Sequence, residues 1–137
     1  MLILGADDVR ALADPAACVE AVRRAQVDLS AGRAVQPLRL GTALPGGVEH
    51  LAMPAALPGD GALALKSIVV APGNPARGLP RIGGVVLLMD AETGAVRALL
   101  DAAALTLART AAASAVATDA LARPGAAVLA VVGTGPQ

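Results

Sequence analysis

The stretch AVLAVVGTGPQ, residues 127–137, decides the fold, because an apolar run leads directly into Gly133-x-Gly135. Residues 127–132 predict a short buried strand. A strand that ends at G-x-G is typical of the start of a dinucleotide-binding unit. The first glycine permits a tight turn, and the second lets the backbone approach a pyrophosphate. The helix and acidic residue that complete this fingerprint would follow Gln137, so we expect the front part of a dinucleotide enzyme.

Composition narrows the classes of protein to which the chain can belong. A hydrophobic content of 55% in 137 residues excludes a disordered chain. The sequence has a net charge of zero and no aromatic residue, which gives no case for binding nucleic acid or an anionic membrane. Charge, glycine or proline interrupts every long apolar stretch, so no membrane span is predicted.

The rare residue types indicate a compartment and exclude a metal site. Cys18 is the only cysteine, which argues against a disulfide scaffold and for a reducing compartment. The N-terminus lacks the basic segment of a signal peptide, so a cytoplasmic location is expected. His50 is the only histidine and no cysteine cluster accompanies it, so no zinc-type metal site is predicted.

The periodicity predicts an α+β domain that leads into an α/β unit. Asp7 and Asp14 are expected to cap two helices, and Asp101 a third that runs to about residue 122. Strands are predicted at residues 1–4, 38–44, 48–53, 63–70, 85–89 and 95–100. Residues 1–124 would form the first domain, and residues 125–137 the first strand and glycine-rich turn of an incomplete Rossmann domain. The sheet's unpaired edges favour pairing with a second copy.

Lys66, the only lysine, is the first candidate site residue. It lies in the nearly apolar segment 62–70 and shares a strand face with Ala64 and Ile68. On an inward face its ammonium needs an anion, which suggests a substrate carboxylate. The alternative is an edge strand with the lysine pointing to water.

Two arginines are further candidates. Arg109 lies in a helix of small residues that must pack closely, where a guanidinium suits a carboxylate or a phosphate. The alternative for Arg109 is a structural salt bridge to Asp101 or Asp119. Arg39, at the start of a strand, has the features of a surface arginine.

Three segments together resemble the ornithine cyclodeaminase/mu-crystallin family: residues 66–84 (KSIVVAPGNPARGLPRIGG), residues 89–124 (MDAETGAVRALLDAAALTLARTAAASAVATDALARP) and residues 131–137 (VVGTGPQ). The resemblance implies an α+β domain that binds substrate and forms a homodimer through its sheet, followed by a Rossmann domain that binds NAD or NADP. It also implies hydride transfer between the nicotinamide and the α-carbon of a small amino, imino or keto acid.

The resemblance assigns roles to individual residues. Arg39, Lys66 and Arg109 would form the cationic pocket for the substrate carboxylate, with Lys66 also catalytic. The residues implied to contact the cofactor are Arg109, Thr110, Gly133, Gly135 and Gln137.

Three departures from the family pattern bear on function. The family's catalytic aspartate would follow Gln137, so the chain alone is expected to be inactive. Leu51 stands where ornithine-specific members have a glutamate, which argues against ornithine as substrate. Arg81 stands where members often have a threonine near the cofactor. The expected function is therefore the N-terminal part of an NAD(P)-dependent oxidoreductase or cyclodeaminase. The alternatives are a mu-crystallin-like ligand-binding protein and an inactive dimerising relic.

Overall fold

The computed structural model describes residues 1–133, whose main elements are six strands and three α-helices. In chain order these are β1 (Leu2–Leu4), α1 (Ala6–Leu12), α2 (Pro15–Ser30), β2 (Leu40–Leu44), β3 (Val48–Leu57), β4 (Ala62–Val70), β5 (Ile82–Asp90), β6 (Val96–Asp101) and α3 (Ala102–Leu121). The predicted order of helices and strands is confirmed up to the end of α3.

The strands form one mixed sheet in the order β1-β6-β5-β4-β3-β2. β1 pairs with β6 in parallel, and the other neighbours are antiparallel. Short turns connect β2 to β3, β3 to β4 and β5 to β6, as the glycine- and proline-rich connections predict, and a longer loop, residues 71–81, connects β4 to β5. β4 therefore lies inside the sheet, hydrogen-bonded to β3 on one side and to β5 on the other.

Side-chain caps start the two longer helices where the sequence predicts. The Asp14 carboxylate accepts a hydrogen bond from the Ala17 backbone at 2.8 Å, and the Asp101 carboxylate accepts one from Ala104 at 2.7 Å. The predicted cap of α1 is wrong. Gly5 precedes that helix, and Asp8 rather than Asp7 accepts its backbone N–H at 2.9 Å.

β3 extends four residues beyond its predicted end, through Pro54 to Leu57. Proline cannot donate to a ladder and normally ends a central strand. The last β2–β3 pair joins Leu40 to Ala52, and an isolated bridge joins Val35 to Ala56. Pro54 lies between these two contacts, so its missing N–H leaves no ladder partner unpaired.

Helix α3 covers one face of the sheet, which we call the helix-covered face. Its core consists of Ile68, Val86 and Ala102, and partly buried apolar side chains pack around them, including Leu51 and Met53. The opposite face, which we call the open face, carries apolar side chains with no helix over them in residues 1–133. Its exposed members are Leu40, Leu44, Val69 and Val85.

The strand predicted at residues 127–132 is not present in the described residues. The structure assigns no strand after α3, and Val128, Leu129, Val131 and Val132 are largely exposed. An extended segment becomes a strand only when a neighbour accepts its backbone hydrogen bonds, and none of the six strands pairs with this one. Gly133 has a φ of +100°, which suits a glycine turn, whereas Gly135 and Gln137 lie outside the described residues.

Candidate functional site

Lys66 lies at the centre of the helix-covered face. It opposes Met53 on β3 and Val86 on β5, and it shares this face with Ile68. The side chain is half-buried, and its Nζ donates a hydrogen bond of 2.6 Å to Oγ1 of Thr106 on α3. The edge-strand alternative is therefore wrong, because β4 is an interior strand and the lysine points towards a helix.

Arg109 lies on α3, one helical turn beyond Thr106, and is exposed. The two aspartates proposed as its structural partners are engaged elsewhere. Asp101 caps α3, and Asp119 forms an ion pair with Arg23 of α2 at 2.8 Å. The structural salt-bridge alternative for Arg109 is therefore wrong within residues 1–133.

The two cations affect each other. Partial burial, and then the positive charge of Arg109, lower the pKa of Lys66 below its ordinary value of 10.5. Every ion pair among residues 1–133 involves another basic residue: Arg10, Arg23 or Arg33. Lys66 and Arg109 are thus two interacting cations with no carboxylate partner in the described residues.

Thr110 follows Arg109 on α3 and has a buried hydroxyl. Its Oγ1 is the one buried side-chain oxygen or nitrogen in the described residues that has no hydrogen-bond partner. A buried hydroxyl without a partner is unfavourable, so this atom is suited to receive a polar group of a ligand.

Arg39 is exposed and directly precedes β2. Leu40 is the first residue of β2 that pairs with β3, opposite Ala52, and the next contact towards the N-terminus joins Val35 to Ala56 in a register shifted by one residue. Lys66 and Arg109 are therefore close enough to interact electrostatically, whereas Arg39 lies at the sheet's edge.

Thr106 is the contact that sequence reasoning missed. Its only signal is its spacing of three residues from Arg109 and four from Thr110, which aligns the three side chains along one side of a helix. Arg81, the other residue noted in the sequence, is exposed at the end of the loop after β4, where its carbonyl accepts from the Ala71 N–H at 2.8 Å.

Two hollows of the described chain lie away from Lys66. One, of about 300 Å³, is lined mainly by α2 residues, including Arg23, Arg24 and Asp28. The other, of about 240 Å³, lies between α2 and α3 beside Cys18.

Among residues 1–133 no group of three or more His, Cys, Asp and Glu side chains converges as metal ligands would. No helix in this range is long and apolar enough to cross a membrane.

The chain belongs to the ornithine cyclodeaminase/mu-crystallin family, whose profile matches residues 1–137. It is 39% identical over 140 residues to a Delta(1)-pyrroline-2-carboxylate reductase of Bacillus cereus, a match that covers all of this chain and 42% of that protein. The chain therefore spans about two fifths of the length of such relatives.

Solved structures of relatives have the same arrangement of strands and helices. The Delta(1)-pyrroline-2-carboxylate reductase of Thermococcus litoralis, in complex with NADH and L-proline, superposes with a TM-score of 0.84 at 39% identity, covering 90% of this chain and 38% of that one. An archaeal alanine dehydrogenase dimer with bound NAD superposes with a TM-score of 0.85 at 34% identity, covering 91% and 38%. The mixed sheet with its helices matches the N-terminal part of the family fold.

Proposed function

We propose that this chain is the carboxylate-binding part of an NAD(P)-dependent reductase of small cyclic imino acids, with Δ1-pyrroline-2-carboxylate as the reference substrate. The observation that carries the proposal is the pair Lys66 and Arg109, two cations beside a packed apolar core with no anion of their own in the described residues. The similarity to pyrroline-2-carboxylate reductases names the reaction class.

The substrate carboxylate would lie between these two cations. The guanidinium of Arg109 can donate two parallel hydrogen bonds to a carboxylate, and Arg39 can approach from the edge strand. Lys66, the proposed catalytic residue, would orient the acid from the sheet side. Its lowered pKa also makes it a better proton donor to the imine nitrogen than an ordinary lysine.

Reduction adds a hydride to the α-carbon and a proton to the ring nitrogen, so that the C=N bond becomes a C–N single bond. When bound, NAD(P)H supplies the hydride. The described residues fit such a cofactor at two points: the unpartnered hydroxyl of Thr110 and the guanidinium of Arg109 can both donate to phosphate oxygens. Gly133, Gly135 and Gln137 are proposed to begin the dinucleotide loop, with residues 1–124 as the substrate domain and 125–137 as the start of the cofactor domain.

The apolar surroundings of Lys66 favour a substrate without a charged side chain. Leu51 and Met53 lie on the same face of β3 and pack against Ile68 and its neighbours. An ammonium placed against these side chains would lose water without gaining a partner. We therefore propose a cyclic or short aliphatic acid rather than ornithine.

The open face supports a proposed homodimer. Exposed valines and leucines on β2, β4 and β5 make an apolar sheet surface, and a second copy would cover it symmetrically. The dimeric state of the archaeal alanine dehydrogenase relative is consistent with this arrangement.

A cytoplasmic location, expected from the single Cys18, belongs to the same proposal.

A chimera tests the activity. Residues 1–137 of this chain would replace the matching part of the Bacillus cereus reductase. NADH-dependent reduction of Δ1-pyrroline-2-carboxylate, lost in the same chimera carrying Lys66→Met, is the expected result, and the 137-residue chain alone should show no turnover. A folded chimera that binds NADH and substrate without reducing it would favour the ligand-binding alternative and contradict the proposal.

A further inference from the structure

We propose that Thr106 is a positioning residue that fixes the ammonium of Lys66 at the mouth of the carboxylate site. The proposal rests on the proposed function in one respect, since it takes the Lys66 site as the place where a carboxylate binds. The contact itself is a feature of β4 and α3 and does not depend on which substrate the protein uses.

Two consecutive hydrogen bonds determine which group donates and which group accepts at this contact. Lys66 Nζ lies 2.6 Å from Thr106 Oγ1, which lies 2.5 Å from the carbonyl oxygen of Ala102. A hydroxyl has one proton, and a carbonyl can only accept. Thr106 therefore donates to Ala102 and accepts from Lys66. The lysine is left with its remaining protons for a ligand.

The hydroxyl of Thr106, which accepts the hydrogen bond from Lys66, is itself held in place. Ala102 is 1% exposed and belongs to the core with Ile68 and Val86, so the carbonyl that orients Thr106 belongs to the best-packed part of α3. A free lysine side chain has four rotatable bonds and loses considerable rotamer entropy when a ligand orders it. A fixed acceptor on α3 orders the side chain before the ligand arrives.

The same helix sets the spacing of the second cation. Arg109 is three residues beyond Thr106, and residues three or four apart on a helix are neighbours on its surface. The contact between Lys66 and Thr106 thereby relates the β4 ammonium to the α3 guanidinium. This explains how two like charges come to share one site, although their repulsion lowers the pKa of Lys66.

Removing the hydroxyl has a definite electrostatic consequence. An acceptor beside an amine favours its charged form, so loss of Thr106 Oγ1 should lower the pKa of Lys66 further. Thr106→Val removes the hydroxyl and keeps the shape, whereas Thr106→Ser keeps the hydroxyl. Thr118→Val is a matched control, because Thr118 on the same helix makes the same kind of bond to Ser114 O at 2.8 Å but is exposed and contacts no lysine.

The experiment is a pH titration of the Lys66 side chain by NMR in the 137-residue chain labelled with 13C,15N-lysine. Lys66 is the only lysine, so its side-chain resonances need no assignment. We expect a lower midpoint in Thr106→Val, a parental midpoint in Thr106→Ser and Thr118→Val, and roughly tenfold weaker binding of Δ1-pyrroline-2-carboxylate by Thr106→Val. Circular dichroism would establish that each variant is folded.

An unchanged midpoint in folded Thr106→Val would overturn the proposal, as would an equal change in Thr118→Val or no recovery in Thr106→Ser. If neither the parent nor any variant binds the imino acid, the proposed function is wrong. The titration still decides the role of Thr106, so the two failures are distinguishable.

Discussion

Lys66 of β4 and Thr106 of α3 are joined by a hydrogen bond of 2.6 Å, so an interior strand and the helix that covers it meet at a polar contact beside an apolar core. An isolated lysine in such a place would be costly unless an anion or an acceptor satisfied it. The hydroxyl satisfies one of its protons, and the others have no carboxylate partner in residues 1–133. We propose, as the central claim, that a ligand carboxylate accepts hydrogen bonds from these remaining protons.

Stability should rise with pH in the alkaline range because of Lys66. Its folded-state pKa is lowered, so the folded chain binds fewer protons than the unfolded chain between that pKa and 10.5. The free energy of unfolding therefore increases as the pH climbs through this window. The chain has no tyrosine and no other lysine, so no other side chain of these two types titrates in this pH window.

Urea unfolding from pH 7 to 10.5 measures this effect in the parent, Lys66→Met and Arg109→Met. The difference between the parent and Lys66→Met isolates the lysine, because contributions common to both chains cancel. The slope of that difference should be positive, and Arg109→Met should flatten the parental rise because it removes a charge that lowers the Lys66 pKa. A parental curve parallel to that of Lys66→Met would contradict the prediction.

Gly84 on β5 should not tolerate a side chain. Its φ is +153°, and an added Cβ would lie 2.1 Å from the carbonyl oxygen of Ser67 and 2.7 Å from the Cα of Ile68. Gly84→Ala should lower the free energy of unfolding by about 3 kcal/mol or more, because both β4 and β5 would have to shift.

The adjacent Gly83 provides the control, since nothing lies within 4 Å of its added Cβ. Gly83→Ala should change stability by no more than about 0.5 kcal/mol. Denaturant melts of both variants measure the contrast. Equal stabilities would mean that the close approach of β5 to β4 at Gly84 is wrong.

If a second copy covers the open face, a charged side chain introduced on this face should weaken the dimer. Val69 lies on this face and is 38% exposed in the single chain. Val69→Glu would bury a charged carboxylate at the interface and should weaken the dimer at least about 100-fold. Sedimentation equilibrium of the parent and the variant measures the dissociation constant.

Leu12→Glu provides the matched control, because Leu12 is also an exposed apolar residue but ends α1, away from the open face. It should leave the dimer intact. A parental chain that is a well-folded monomer at micromolar concentration would refute the dimer, and equal weakening by both substitutions would refute the assigned surface.

The sequence predicted the features that depend on nearby residues. The Asp14 and Asp101 caps, the long helix and the positions of the six strands before it follow from local patterns, and the structure has them. The extension of β3 through Pro54 was missed because it depends on where β2 ends. The strand expected at residues 127–132 failed for the same kind of reason, since a strand needs a neighbour that local pattern does not reveal.

The candidate site was predicted in part. Lys66 and Arg109 were identified, but the choice between an inward and an outward lysine required the strand order. The contact with Thr106 joins residues 40 positions apart, so no local pattern could predict it. The roles of Arg39 and Thr110 stay predictions, and the unpartnered hydroxyl supports the role of Thr110.

The most direct test of the central claim is the response of the Lys66 side-chain NMR signal to Δ1-pyrroline-2-carboxylate. The parent should show a saturable shift of this signal. Arg109→Met should weaken binding about 10- to 100-fold, because one charge-assisted hydrogen-bonding partner of the carboxylate is lost. Arg123→Met, which alters an exposed arginine beyond the end of α3, should bind like the parent. A Lys66 signal that does not respond to the imino acid, or that responds equally in Arg109→Met and the parent, would contradict the claim that these two residues form a carboxylate site.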